Sequence, residues 1–199
     1  MGWSRTVSLP LQTRGKHDDV LDDVALPVVA ARMVNSRISI GALALSAAGL
    51  VGLITHESYT DRAIIPVKGD RPTVGFGSTF RDDGSPVKMG DTITPPKAIA
   101  RTLAHIGKDE SRLKQCVKAP LHQAEYDLLV DHSYQYGAAA TCSSTLVKHV
   151  NAGRYADACA AYLSWRYVKK RDCSIRSNGC YGVWLRAQER NAKCMEAQK

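Results

Sequence analysis

No two of the six cysteines stand two residues apart, and none occurs before Cys116. Paired C-x-x-C spacing is the usual mark of a structural zinc site, and the histidines are scattered, so the pattern argues against zinc and no metal is expected. Nothing in the chain reads as a motif for an organic cofactor, and no cofactor is expected. Acidic side chains are in deficit, 19 against 27 basic ones, for a formal charge of +8. That balance favours an anionic partner. The basic residues are spread out, and no recognition-helix or base-stacking motif accompanies them, so nucleic acid is not the expected partner. A long apolar run is also missing. The strongest candidate, Ile38–Ile54, has 17 residues, nine of them Gly, Ala or Ser. A bilayer span typically needs about 20 apolar residues, and small residues contribute little to insertion.

Hydrophobic residues make up 44% of the chain and charged residues 23%, which is globular composition. Cys116, Cys142, Cys159, Cys173, Cys180 and Cys194 form an even set confined to the second half, as disulfides in an oxidising compartment would. Six cysteines allow 15 pairings, which spacing does not resolve. Among them, Cys173 and Cys180 are close enough to close a short loop worth roughly 2–3 kcal/mol in chain entropy.

Residues 1–32 read as an extension of mixed charge, possessing the acidic run Asp18-Asp19-Val20-Leu21-Asp22-Asp23. Met33 followed by a basic residue and the run Ile38–Ile54 has the layout of a secretory signal, and Met33 is the expected start. No A-x-A-like cleavage site is set off from the run, so residues 33–55 are expected to form an uncleaved, weakly held anchor helix. The alternative is a buried small-residue helix of the folded body. Helical register is expected to continue from Glu57 to Arg62. Ala63–Ile93 reads as a hairpin sheet punctuated by Lys68-Gly69-Asp70-Arg71-Pro72 and Asp82-Asp83-Gly84-Ser85-Pro86. Thr94-Pro95-Pro96 opens a helix to Cys116. Further helices are expected over His122–Gln135, Ser143–Asn151, Tyr155–Tyr167 and Tyr181–Ala197. The expected fold is α+β, a small hairpin sheet beside a mainly helical lobe, with a cleft between them.

Glu57, at the end of an apolar segment, is the leading candidate for a general acid. Asp70 is a candidate second carboxylate, and Asp61 its rival, placed four residues beyond Glu57 on the same expected helix face. Thr73-Val74-Gly75-Phe76-Gly77 is a strand whose alternate glycines imply that another chain or ligand comes close.

Glu57, Asp70 and Thr73-x-Gly75-x-Gly77 resemble the Glu…Asp…Thr-x-Gly-x-Gly signature of the phage-type lysozymes, glycoside hydrolase family twenty-four. The similarity continues through Gln123–Val130, Tyr134-Gln135-Tyr136-Gly137, Ser144-Thr145-Leu146, Asn151-Ala152-Gly153, Trp165 and Gly182–Arg190. The departure is in spacing: more residues separate Glu57 from Asp70, and fewer separate Asp70 from Thr73, than the family usually has.

The resemblance implies a lysozyme-like catalytic domain over 56–199 that hydrolyses peptidoglycan between N-acetylmuramic acid and N-acetylglucosamine. Glu57 would be the acid, with Asp70 and Thr73 managing the attacking water. Arg186 would pair with Glu57, and Tyr134, Gln135 and Thr145 would line the sugar cleft. The apolar segment resembles the signal-anchor-release segments of endolysins exported by the host secretion machinery. Such a protein waits on the periplasmic face of the inner membrane and acts in the periplasm, here as an expected monomer. A lytic transglycosylase using Glu57 alone, and a non-catalytic wall-binding module, are the alternatives.

Overall fold

Residues 36–66 and 69–199 are described by the structure, a computed structural model. The extension 1–32 and the expected start at Met33 lie outside the described residues. From Asn35 to Lys199 the chain packs as one compact unit, so the apolar run belongs to the folded body.

That run is not one helix. Ile38 exchanges backbone hydrogen bonds with Leu121 (2.8 and 2.9 Å), and Ile40–Ala42 makes a single 3-10 turn. Only then does α1 (Ala47–Glu57) begin. Its start is fixed by side chains from elsewhere. Ser46 Oγ accepts from Gly49 N at 3.0 Å, while Asp127 takes the Ser46 amide (3.0 Å) and Glu110 the Leu45 amide (2.7 Å). Those amides are the donors that a helix continuing upstream would have used. Asp127 comes so close that a Cβ on Gly49 would lie 2.7 Å from its carboxyl carbon. The small residues that make the run weakly hydrophobic therefore let α1 approach α3 (Gln123–Tyr136). Among the described residues, no helix is long and apolar enough to cross a membrane.

The expected continuation of helix to Arg62 does not occur. Ser58 takes φ 55° and ends α1, and the chain enters β1 (Thr60–Ile64). Tertiary hydrogen bonds outweigh local register here. Ala63 N donates to Asp91 O (2.8 Å), Ile93 N to Asp61 O (2.9 Å) and Tyr59 OH to Ile93 O (2.6 Å). β1 pairs antiparallel with β2 (Thr73–Gly75), Thr60 opposite Gly75 and Ile64 opposite Thr73 with an irregularity between. Val74, Phe76, Val87 and Ile93 fill a small core that α2 (Pro95–Cys116) closes with Ala98. Thr94 takes the N-cap position of α2, and both prolines stand in its first turn, where their missing N–H groups cost nothing.

The larger core lies among the helices and includes Leu53, Ile106, Leu121, Tyr126, Leu129 and Leu146. The helix expected over Ser143–Asn151 is α5 (Thr145–Asn151), starting two residues later, and an unexpected α4 (Ala138–Ser143) precedes it, separated by Ser144, whose hydroxyl caps α5 at Val147 N. The helix expected to Tyr167 stops earlier. α6 (Tyr155–Ala161) passes through a 3-10 turn into a hairpin of β3 (Tyr167–Val168) and β4 (Arg171–Asp172). α7 (Tyr181–Glu196) follows. All six cysteines are paired: Cys116–Cys142, Cys159–Cys194 and Cys173–Cys180.

Candidate active site

Glu57 is the last residue of α1, and its side chain is 20% exposed, so one face meets solvent while the rest is gripped. Arg186 of α7 donates to Glu57 Oε1 at 2.8 Å and to the His56 carbonyl at 2.5 Å. The second bond satisfies one of the carbonyls that a helix end leaves open. Glu189, three residues along α7, lies 3.2 Å from His56 Nε2 and takes Lys193 at 2.6 Å. α7 thus fixes both the end of α1 and the direction of its carboxylate.

The glycine-bearing strand closes the other side. Val74 and Ser78 exchange two backbone bonds (3.0 and 3.1 Å), folding the segment into a tight loop. Gly77 has φ +75°, and a Cβ there would lie 2.8 Å from Glu57 Oε2. Gly75, also at positive φ, faces Ala98 at 3.0 Å. The close approach expected of these glycines is made by α2 and by the Glu57 carboxylate itself.

Glu57 opens into a cleft of about 1490 Å³ whose walls include Asp70, Gly77, Tyr134, Gln135 and Arg186. Tyr134 donates to Phe76 O at 2.6 Å, and its ring centroid is 5.0 Å from that of His105. Burial, reinforced by the Glu57 charge, raises its phenol pKa, so it stays a proton-bearing donor. Gln135 lines the cleft, and its Oε1 is buried with no hydrogen-bond partner among the described residues.

The other candidates stand differently. Asp70 lines the cleft from the turn before β2, but its carboxylate is 3.5 Å from Lys169 Nζ. Thr73 starts β2 opposite Ile64 and is not among the lining residues. Thr145 is exposed in the first turn of α5, after the Ser144 cap, and it too is not among the lining residues. Asp61 does not share a helix face with Glu57, since it lies in β1.

Sequence reasoning missed the basic wall of the cleft. Lys97, Arg101, His105, Lys108 and Arg112 all line it from α2. Their three- and four-residue spacing is legible as one helix face. The β3–β4 hairpin adds Lys169 and Arg171, and that contribution had no local signal.

Residues 54–179 match the model of the phage lysozyme family. The chain is 30% identical over 126 residues to the endolysin of Salmonella phage P22, covering 63% of this chain and 86% of that protein. It is 31% identical over 121 residues to the SAR-endolysin of Escherichia phage 933W, covering 60% and 68%. Among solved structures, the endolysin from Escherichia coli O157:H7 phage FAHEc1 superposes with a TM-score of 0.66 at 32% identity, over 77% of this chain and 94% of that one.

Proposed function

Because the chain belongs to the phage lysozyme family, we propose that it is an endolysin that cleaves peptidoglycan by hydrolysing the β-1,4 bond between N-acetylmuramic acid and N-acetylglucosamine. The observation that carries this reading is Glu57, held by Arg186 and wrapped by Gly77 at the wall of an open cleft. A positioned carboxyl group is what protonation of a glycosidic oxygen requires.

Glu57 delivers a proton to the leaving oxygen as the bond to the muramic acid anomeric carbon breaks. The carbohydrate side of that bond gains oxocarbenium character and is taken by water. Asp70, released from Lys169, would orient that water and take its proton, while Tyr134, whose own O–H is engaged by Phe76 O, accepts from a sugar hydroxyl and Gln135 holds the sugar through its side-chain amide. Arg186 is a positioning residue that acts through Glu57.

The segment 33–55 serves as the signal anchor before release and as part of the core afterwards. The similarity to SAR-endolysins supports a chain tethered at the periplasmic face of the host inner membrane, then freed into the periplasm for host lysis and phage release. Exposing Ile40, Leu43 and Leu53 to lipid, or burying them in the domain, are alternative ways to remove the same apolar surface from water.

The test is mass spectrometry of sugars released from purified peptidoglycan by the oxidised chain and by Glu57→Gln. Hydrated reducing-end muramic acid, lost in Glu57→Gln, supports the lysozyme. An anhydro end supports a lytic transglycosylase, a reading favoured by the absence of Thr73 from the cleft wall. No release by either protein leaves a wall-binding module.

A further inference from the structure

The cleft carries more positive charge than its own carboxylates use. Three of its acids are paired: Glu57 with Arg186, Asp70 with Lys169 and Asp82 with Arg101. The fourth, Asp109, is 3% exposed, and the imidazole of His105 lies 3.7 Å from it. Lys108, Arg112 and Arg171 also line the cleft, and none has a carboxylate within ion-pair distance among the described residues. Lys169 holds Asp70 only at 3.5 Å, with both side chains well exposed, a weak pairing that a ligand anion can replace.

The hairpin that delivers Lys169 and Arg171 is built against its own preference. Val168 pairs with Arg171 and Tyr167 with Asp172, so the two-residue turn is Lys169-Lys170. Both have positive φ, 48° and 67°. Asn-Gly is the favoured pair for such a turn, because lysine meets steric cost in left-handed conformations. The Cys173–Cys180 disulfide and the Asp172 bonds to Ser174 hold the hairpin where it stands. Strain of this kind is retained where the side chain has a task, and here it places a cation at the rim of the cleft.

We propose that Lys108 and Arg112 of α2, with Lys169 and Arg171 of the β3–β4 hairpin, form an anion subsite for carboxylates carried by the glycan strand that runs past Glu57. Because these cations share the cleft with Glu57, the anion they take is part of the substrate strand and not of a separate polymer bound on another face. This rests on the peptidoglycan reading above. The carboxylates come from two sources, the peptide stem and the lactyl group exposed when that stem is removed.

Binding separates this proposal from the reaction. The full chain bearing Glu57→Gln is sedimented with three strands: intact peptidoglycan, peptidoglycan whose carboxyls have been converted to amides with carbodiimide and ammonia, and amidase-stripped glycan. The intact strand is expected to bind about fivefold more tightly than the amidated one, the effect of a few exposed charge contacts. Lys108→Gln with Arg112→Gln erases that preference, whereas Lys118→Gln with Lys148→Gln, on exposed residues outside the cleft, retains it.

The turn variant Lys169→Asn with Lys170→Gly has a signature of its own: it melts higher and binds the intact strand less well. A residue with only a structural role would move both together. If stripped glycan behaves like the intact strand, the subsite takes the lactyl carboxylate as well as those of the stem; if like the amidated strand, it takes the stem's alone. Equal binding of intact and amidated strands overturns the subsite, as does an equal loss in the variant outside the cleft. Should the double variant on α2 melt early, Lys108→Gln alone carries the same comparison. Hydrolysis by the unaltered chain is assayed separately. Absence of sugar release with the preference intact would sink the proposed reaction and leave the subsite standing.

Discussion

Gly77 has two reasons to be glycine, its φ of +75° and the Glu57 carboxylate 2.8 Å from where a Cβ would stand. The expected outcome for Gly77→Ala is a loss of activity out of proportion to stability. Displacing Glu57 by a fraction of an ångström or more lowers kcat by about 100-fold. The left-handed alanine costs about 1–2 kcal/mol in a denaturant melt. His132 is a second residue whose surroundings set its chemistry. It is fully buried against Tyr136, Tyr162 and Trp165, with Nδ1 2.9 Å from Thr141 Oγ1. Burial, helped by the Arg190 charge, brings its pKa from 6.5 to about 3. The unfolded chain takes up this proton below 6.5 and the folded protein only near 3, so His132 makes stability fall as pH drops through that window. The dependence of melting temperature on pH across it should be shallower in His132→Phe than in the unaltered chain.

The segment before α1 is tied into the folded protein by side chains from distant elements. Arg37 makes two hydrogen bonds to Glu125 (3.0 and 2.8 Å) and one to Gln198 (2.6 Å), and lies 3.5 Å over the Tyr155 ring. It therefore joins the start of α3, the start of α6 and the residues after α7. Glu125 is 5% exposed, and despite burial its partners Arg37, Gln198 and the His122 amide hold its pKa below the usual carboxylate value. Arg37→Ala leaves that buried carboxylate without its cation and should cost about 3 kcal/mol in a denaturant melt. Adding Glu125→Gln should restore part of the loss, because the uncompensated charge is then gone. A second variant that changed nothing would remove the ion pair as the explanation.

Across the whole molecule, the three disulfides tie different parts together. Cys116–Cys142 joins the end of α2 to α4, Cys159–Cys194 joins α6 to α7, and Cys173–Cys180 closes the hairpin beside the cleft. Chain entropy makes the two longer loops worth about 3–4 kcal/mol each and the short one about 2. Cys159 and Cys194 are both buried, whereas each of the other bridges has at least one half-buried sulfur residue. Under graded reductant, mass spectrometry of alkylated protein should therefore show Cys159–Cys194 protected longest, with its reduction coinciding with unfolding. Melting temperature should fall in steps as the bridges open. If full reduction left both melting and activity unchanged, the bridges would not be structural.

Much of this protein is written locally. Thr94-Pro95-Pro96 marks the start of α2 because proline suits a helix's first turn, and the even cysteine set announces bridges because unpaired thiols would not be so distributed. The order Glu57, Thr73-x-Gly75-x-Gly77, Arg186 points to the family, since the carboxylate, the tight loop and the arginine must keep their sequence to meet in space. Other features are decided only by tertiary contact. Tyr59–Ile64 leaves helical register because the backbone at 91–93 offers it a ladder. The run Ile38–Ile54 breaks into strap and helix because Glu110 and Asp127 capture its amides. Which cysteines pair, and that Lys169 and Arg171 reach the same cleft as Lys108, depend on distances between segments remote in sequence. Local propensity carries no information about those distances; packing sets them.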